Sequence, residues 1–307
     1  MDFRLTEDQR ALRKGVRELL ARLFDREALR AAVDAPSLDR ELWRELGAAG
    51  FFALRVPEEE GGVGLGLPEA VLLFEEAGRV LVPGPLVATH VAAGSLRGAA
   101  EGEVVVTDVS EGLVPWLDEA DVVLGDVTGA VPMRSVDPLT PLHKVPGTGG
   151  CAHPPPEGGP PRRAERLPTT VSTELVAVLL TAAEQVGSAE ATTEMAVSYA
   201  REREQFGQVI GGFQAVKHLC AGMLVRAEMA RVAVRAAAVT GDPVEIAGAK
   251  LLADEAATGN ARDCLQVYGG MGFTWEADVH LHLKRAWVRA RLRLPAARAE
   301  EVVAEQL

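Results

Sequence analysis

Cysteine is scarce in this sequence, with three residues among 307 and no CxxC pair. An odd number without that spacing predicts neither a disulfide framework nor a zinc site. Long apolar runs are also missing, because no stretch approaches the roughly 20 residues that a membrane-spanning helix needs. The N-terminal segment MDFRLTEDQR has acidic residues where a signal peptide has a basic and then an apolar region. These absences predict a cytoplasmic protein without a membrane segment.

Basic residues are fewer than acidic residues in this sequence. The chain has 32 basic and 44 acidic side chains, which gives a formal net charge of −12. A negative surface repels nucleic-acid phosphates and anionic lipid. We therefore expect a small molecule or another protein as partner, and neither nucleic acid nor a membrane. The apolar fraction of 48% is high enough for a globular protein with one large core or two domains.

The residue pattern divides the chain into three regions. Residues 1–100 have apolar positions at helical spacing, which predicts an N-terminal helical domain. Residues 101–168 contain the short β-prone runs VVVTDV, DVVLGDV and PLHKV, followed by a Pro- and Gly-rich linker. Residues 169–307 contain three long helical patterns and one shorter pattern, which predict a C-terminal four-helix bundle. The predicted fold is therefore mainly α with a small, reduced middle β domain.

The first two long helical patterns are joined by a link that has more polar and aromatic side chains than a turn requires. This link is REREQFGQVIGGFQAVKH, at residues 201–218. A plain helix stop needs only a glycine or an asparagine. This one brings Arg203, Gln205, Phe206 and Gln214 close together. Taken one at a time, its glycines are explained as helix stops and Arg203 as a solvated charge. Taken together, these side chains predict that the link holds a ligand.

The same link, together with DCLQVYGGMGFTWEADVHLHLKRA at residues 263–286, resembles the C-terminal domain of acyl-CoA dehydrogenases. These flavoenzymes desaturate acyl thioesters. The stretches MDFRLTEDQRALRKGVREL and ALRVPEEEGGVGLGLPEAVLLFEEAGR resemble the first helical domain of that family. The order of helices, small sheet and four-helix bundle is also the order in the family. The resemblance implies FAD as cofactor, an acyl-CoA or other acyl thioester as substrate, and assembly as a dimer or tetramer.

In the family, the matching positions contact FAD across a dimer interface. A dinucleotide brings a pyrophosphate, an adenine and sugars, so it needs a fixed cation, amide groups and closely approaching backbone. A guanidinium suits the phosphates, an aromatic ring forms an apolar plate, and paired glycines let the backbone approach. The resemblance implies that the cofactor-binding residues are Arg203, Gln205, Phe206, Gly207, Gln214, Gln266, Gly269 and Gly270.

The catalytic base of the family has no obvious counterpart. The chemistry needs a carboxylate that removes the α-proton of the thioester. Most members carry it in a segment like YEGT after the double glycine, but here the region reads LKRAWVRARLRLPAARAEEVVAEQL. The other position known in the family matches Ala177. Glu174 lies about one helical turn away and is a weak candidate, whereas Glu184 is interpreted as structural. The catalytic residue is therefore left unassigned.

The β region also departs from the family. Its members hold the isoalloxazine ring with a threonine-rich strand and a tryptophan strand, of which VVVTDVSEGLVPW retains at most Thr107 and Trp116. Short relatives of this kind resemble one partner of heteromeric acyl-CoA dehydrogenases, in which a related, longer subunit supplies the glutamate. Our first hypothesis is such an FAD-associated subunit. The alternatives are a self-sufficient homo-oligomer that uses Glu174, and a flavin-free scaffold subunit.

Two further patterns near the C-terminus suggest other functions less strongly. His280 and His282 look like a metal pair, but residues two apart on a helix point to nearly opposite sides, so no metal site is predicted. The basic run is interpreted as a solvated or inter-subunit face, with nucleotide phosphates as a minor alternative. It comprises Lys284, Arg285, Arg289, Arg291, Arg293 and Arg298.

Overall fold

A computed structural model describes residues 4–146 and 172–306 of the chain. Most of the segment predicted as a linker, including Cys151, lies outside these ranges. The helices are α1 (Glu7–Leu23), α2 (Arg26–Asp34), α3 (Arg40–Ala48), α4 (Leu67–Arg79), α5 (Leu86–Ala92), α6 (Thr173–Glu202), α7 (Gln214–Thr240), α8 (Pro243–Tyr268), α9 (Val279–Arg289) and α10 (Ala296–Ala304). The strands are β1 (Val106–Asp108), β2 (Leu113–Pro115), β3 (Val122–Leu124), β4 (Val131–Met133), β5 (Leu142–Lys144), β6 (Glu204–Gln205) and β7 (Gln208–Val209). The predicted fold class, mainly α with a small β region before a helical bundle, is confirmed.

Polar caps begin several of these helices. At the start of α1, the hydroxyl of Thr6 accepts a hydrogen bond from the backbone N–H of Gln9, whose side chain accepts one from the N–H of Thr6. This reciprocal pair satisfies two N–H groups that a helix start leaves free. At the starts of α2 and α3, the carboxylates of Asp25 and Asp39 accept hydrogen bonds from backbone N–H groups of the first turn, without a reciprocal bond. The capping residues therefore fix where the N-terminal helices begin.

The β region is small and consists of two separate sheets. Strands β1 and β3 form a parallel pair, and β2, β5 and β4 form a three-stranded antiparallel sheet. Each strand is three residues long. The sequence pattern indicated β1, β3 and β5 but missed β2 and β4, each of which contains a proline. Strands this short offer little surface on which a large ligand could lie.

The helices α6, α7 and α8 pack against one another, and α9 and α10 complete the bundle by packing on α8. With 30 residues, α6 is about 45 Å long at a rise of about 1.5 Å per residue. Gly241 ends α7 with a φ of 65°, and Asp242 then caps α8, which begins with Pro243. This turn follows the usual preference for glycine after a helix and proline at the start of the next. No helix among the described residues is both long enough and apolar enough to cross a membrane.

The N-terminal helices share one apolar core with the bundle, since the largest buried cluster includes side chains from α1 to α8. Helices α4 and α6 approach each other closely at two glycines. A Cβ atom built on Gly187 would lie 1.8 Å from the carbonyl oxygen of Glu75, and one built on Gly78 would lie 2.0 Å from that of Glu184. Each helix therefore needs a glycine where it meets the other.

Two glutamates of α4 join this helix to its neighbours by buried ion pairs. Arg13 and Arg17 of α1 both donate to the carboxylate of Glu76. Arg235 of α7 donates to both oxygens of Glu75. Because both carboxylates are almost completely buried, removing either group of partners would leave an uncompensated charge. The pairs thus fix α4 between α1 and the bundle.

The interpretation of the C-terminal basic run as a solvated face is wrong for its central residues. Arg285 and Arg289 are 3% and 5% exposed, and Arg293 is paired with Asp108. Arg285 pairs with Asp137, and Arg289 donates to Glu184 over 2.7 Å. Their partners lie far away in the sequence, so helical spacing alone could not reveal them.

Candidate functional site

The link after α6 forms a tight hairpin. Arg203 caps α6, and β6 and β7 pair antiparallel on either side of Phe206 and Gly207. Both turn residues have positive φ values, 54° and 78°. Two-residue hairpins favour this conformation, but it is unusual for a bulky residue such as phenylalanine. The ring of Phe206 is 93% exposed, so the hairpin presents an aromatic surface to the outside.

Polar side chains lie in the residues that flank this hairpin. Among the described residues, the side chain of Arg203 has no ion-pair or hydrogen-bond partner, and it is exposed. Gln214, also exposed, is the first residue of α7, where no side chain caps the helix. Uncapped N–H groups at a helix start favour an anion. Gln205 bends back to donate to the carbonyl of Glu204 over 2.7 Å. A cation, an amide and free backbone donors are therefore available at one place.

The second motif follows α8. Gly269 ends this helix with φ 58° and ψ −136°, a conformation for which glycine is suited. A Cβ atom added to Gly269 or Gly270 would meet nothing within 4 Å. No packing of the described residues therefore explains the lack of a side chain at Gly270. Gln266, one turn earlier on α8, is exposed. This backbone is open to approach by a ligand.

A pair of stacked tyrosines joins the two motifs. The rings of Tyr199 and Tyr268 lie 4.1 Å apart at an interplanar angle of 15°. Tyr199 is one turn before Arg203, and Tyr268 directly precedes Gly269. Both rings pack on a small apolar cluster that also includes Ile210. The two motifs therefore lie at the same end of the bundle. The sequence analysis missed both tyrosines, although their positions beside the two motifs were a usable signal.

The same end of the bundle exposes several large apolar side chains. Phe273 is 81% exposed, and Met271 and Trp275 are about half exposed. Lys284 and Arg30 lie over the ring of Trp275, 4.8 and 5.6 Å from its centroid. Exposed aromatic side chains next to polar groups are typical of ligand or subunit contacts.

The β-region residues that matched the family's flavin-ring segment are buried. Thr107 is 0% exposed, and its hydroxyl donates to the carbonyl of Pro115 over 2.5 Å. Trp116 is 2% exposed. Neither residue presents its side chain on the surface, and the strands around them are three residues long. The described residues therefore offer more groups suited to the diphosphate half of a dinucleotide than to its ring half.

A cavity lies elsewhere, between α6, α9 and the β region. Its lining includes Asp108, Glu184, Arg289 and Arg293. Both carboxylates are engaged, because Asp108 accepts from Arg293 and Glu184 accepts from Arg289, each over 2.7 Å. Burial raises the pKa of Glu184, while the nearby arginines counteract it. The finding supports the structural interpretation of Glu184, which links α6 to α9.

The weak catalytic candidate lies outside this cavity. Glu174 is an exposed residue in the first turn of α6, and it is absent from the cavity lining. Ala177, which matches the alternative base position of the family, is 2% exposed. Glu174 therefore faces solvent in the described chain, and its role as a catalytic base stays a prediction.

The histidine pair does not converge on a common site. His282 is buried, and its Nδ1 lies 2.8 Å from the hydroxyl of Ser188, whereas His280 stacks on Trp275. Burial lowers the pKa of His282 to about 3, so its ring is neutral near pH 7. Within residues 4–146 and 172–306, no three His, Cys, Asp or Glu side chains are grouped closely enough to hold a metal ion.

Comparison with known families gives matches at both ends of the chain. Residues 6–101 match the acyl-CoA dehydrogenase N-terminal domain, and residues 176–303 match the acyl-CoA dehydrogenase C-terminal domain. The chain is 37% identical over 299 residues to acyl-CoA dehydrogenase IpdE2 of Mycobacterium tuberculosis, with 93% of each chain covered.

Solved structures show the same fold. One is the ChsE4-ChsE5 complex from Mycobacterium tuberculosis, with a TM-score of 0.82, 24% identity, and coverage of 100% of this chain and 98% of that chain. PigA with FAD and proline gives a TM-score of 0.79 at 18% identity, covering 100% of this chain and 99% of that chain. At these identities the likeness supports the fold and carries no residue roles.

Proposed function

Because the chain belongs to the acyl-CoA dehydrogenase family, we propose that it is the FAD-associated subunit of a heteromeric acyl-CoA dehydrogenase. The proposed reaction is desaturation of the α,β-bond of an acyl thioester. One observation carries the proposal: two exposed motifs, around Arg203 and Gly269, lie at one end of the bundle. The side chain of Arg203 has no partner among the described residues, and the backbone at Gly269 is open.

The proposed roles follow from the chemistry of each group. Arg203 neutralises the diphosphate, and the uncapped start of α7 adds backbone donors. Phe206 lies against an apolar face of the cofactor. Gln214 and Gln266 offer amide groups to the sugars and the diphosphate. These residues, with Gln205, Gly207, Gly269 and Gly270, bind and orient the adenosine and diphosphate half.

A partner subunit can supply groups that the described residues of this chain do not offer. When bound, FAD supplies the hydride acceptor for the desaturation. The α-proton must then go to a carboxylate, and both carboxylates that line the described cavity are ion-paired. We propose that a related, longer acyl-CoA dehydrogenase subunit supplies this base and the surface for the flavin ring. The ChsE4-ChsE5 complex has the same fold and contains two different chains, which favours such an assembly.

Replacement of Arg203 by alanine tests the site. In the complex with the partner subunit, Arg203→Ala should raise the dissociation constant for FAD at least about tenfold, because a charge-assisted hydrogen bond contributes about 1.5–3 kcal/mol. At free FAD concentrations below this constant, the flavin-to-protein ratio should fall by the same factor. The ratio is measured from the flavin and protein absorbance after gel filtration.

Arg201→Ala is the matched control for Arg203. Arg201 is an exposed arginine in the last turn of α6, so its removal makes the same change in net charge. We expect Arg201→Ala to retain the wild-type ratio. An unchanged ratio in Arg203→Ala, with the complex intact, would contradict the assignment of the site.

A further inference from the structure

The two motifs of the candidate site are held together by packing and not by polar contacts. Among the described residues, no hydrogen bond or ion pair joins residues 203–213 to residues 266–275. A small apolar cluster lies between them, and its two aromatic side chains are Tyr199 and Tyr268. Their rings are stacked, and both are partly exposed at the end of the bundle. The spacing of the two motifs therefore depends on this cluster.

On one side, the stack supports the backbone of the hairpin. The carbonyl of Tyr199 accepts a hydrogen bond from the N–H of Arg203 over 2.9 Å, and the carbonyl of Arg203 accepts one from the N–H of Ile210 over 2.7 Å. A Cβ atom built on Gly211 would lie 2.8 Å from the carbonyl oxygen of Ala200, so the returning chain packs closely on the last turn of α6. A shift of Tyr199 would therefore move the backbone from which the side chain of Arg203 extends.

On the other side, the stack supports the backbone after α8. Tyr268 is the last residue of this helix and directly precedes Gly269, whose N–H donates to the carbonyls of Leu265 and Gln266. A Cβ atom built on Gly272 would lie 3.1 Å from the Cβ atom of Tyr268, so the chain folds back over the tyrosine. The backbone that is open to a ligand thus begins at the stacked ring.

The rings, and not the hydroxyl groups, make this contact. Among the described residues, neither tyrosine hydroxyl has a hydrogen-bond partner. Burial raises the pKa of Tyr268 to about 12, so this side chain is neutral at pH 7 and does not repel an anion. Stacked aromatic rings attract each other through their faces. Loss of a ring should therefore disturb the site, whereas loss of a hydroxyl should not.

We propose that the stacked rings of Tyr199 and Tyr268 are positioning residues, which hold the guanidinium of Arg203 and the backbone at Gly269 at the spacing that one diphosphate needs. A ligand that finds its binding groups already in place loses less affinity to ordering them. This role rests on the proposed cofactor site. It is one of placement, without contact to the reacting atoms.

A double-mutant cycle for FAD binding, measured on the complex with the partner subunit, tests the proposal. Tyr268→Ala should raise the dissociation constant for FAD at least about tenfold, because it removes the contribution of Arg203 as well. Tyr268→Phe, which keeps the ring, should stay within about twofold of the wild type. In the Tyr268→Ala background, Arg203→Ala should raise the constant further by less than about threefold. Independent, multiplying effects would overturn the proposal, as would an unchanged constant in Tyr268→Ala or a loss in Tyr268→Phe equal to that in Tyr268→Ala.

Val234→Ala is the control for lost stability. Val234 is buried on α7 within the larger core, so its truncation weakens the bundle without removing a contact of the tyrosines. It should lower the urea midpoint of unfolding and leave the dissociation constant for FAD within about twofold of the wild type. The same loss of FAD affinity as in Tyr268→Ala would overturn the proposal. If Tyr268→Ala does not fold, Tyr268→Leu takes its place with the same expected loss, since it keeps apolar bulk without the ring.

Hydrogen exchange without flavin distinguishes a failure of the stack from a failure of the proposed function. In the full chain, the N–H of Ile210 should exchange at least about threefold faster in Tyr268→Ala than in the wild type or in Tyr268→Phe, because the hairpin loses its support. Unchanged exchange at Ile210, in a complex that still binds FAD, would overturn the positioning role and leave the proposed function intact. A complete wild-type complex without flavin would contradict the proposed function and the positioning role together.

Discussion

Gly187→Ala is expected to lower the free energy of unfolding by about 3 kcal/mol, because α4 and α6 would have to separate. The new Cβ atom would lie 1.8 Å from the carbonyl oxygen of Glu75 and 2.9 Å from the backbone nitrogen of Arg79. These are backbone atoms, so the contact cannot be relieved by rotating a side chain. The better helix propensity of alanine offsets at most about 1 kcal/mol. Urea unfolding followed by circular dichroism measures the change.

Gly248→Ala is the control for this prediction. Gly248 also lies within a bundle helix, but a Cβ atom there would meet nothing within 4 Å. We expect it to raise the free energy of unfolding by about 0.5–1 kcal/mol, from helix propensity alone. If Gly187→Ala behaved like Gly248→Ala, the close crossing of α4 and α6 would be refuted.

Arg285→Met should lower the free energy of unfolding by about 3–5 kcal/mol, since it removes one partner of a buried ion pair. Asp137 is 0% exposed, and among the described residues its carboxylate would keep hydrogen bonds from the N–H of Leu139 and the hydroxyl of Thr140 but lose its ion pair. Arg285 also donates to the carbonyls of Val82 and Leu139 over 3.2 Å. These bonds connect α9 to the β region and to the end of α4. Chemical denaturation again gives the change in the free energy of unfolding.

A second substitution separates the unpaired charge from lost packing. Asp137→Asn with Arg285→Met removes both charges, so we expect it to recover more than half of the loss. Arg291→Met, at an exposed position, should change the free energy of unfolding by less than about 0.5 kcal/mol. A loss below about 1 kcal/mol in Arg285→Met would contradict the structural role of the pair.

Long elements were predictable because a helical period repeats many times within them. The three long helices of the bundle have 30, 27 and 26 residues. The helical patterns in the sequence run from about 171 to 201, 213 to 240 and 243 to 267, and these limits differ from the observed ones by no more than two residues. The short helices α2, α5 and α10 have seven to nine residues, about two turns, and were missed. A helical period must repeat several times before it can be recognised in a sequence.

From the sequence, a candidate site could be proposed only where its residues are close together in the chain. The eight proposed cofactor-binding residues come from two short segments, and the structure places both segments at one end of the bundle. The stacking of Tyr199 on Tyr268 and the pairing of Arg289 with Glu184 were not predictable, because each joins residues from separate helices. The partners of Arg289 and Arg293 lie 105 and 185 residues away, so the basic run was misread as a solvated face.

The central claim is that this chain binds FAD and desaturates an acyl thioester only together with a partner subunit. The visible absorption spectrum tests it most directly, recorded for the chain purified alone and after co-expression with a longer acyl-CoA dehydrogenase homologue. We predict yellow protein only in the co-purified pair, with a flavin band that bleaches on addition of an acyl-CoA. A complete but colourless complex would contradict the claim. Bleaching of flavin bound to the chain alone would also contradict it, and Glu174→Gln would then be the first variant to test for loss of the catalytic base.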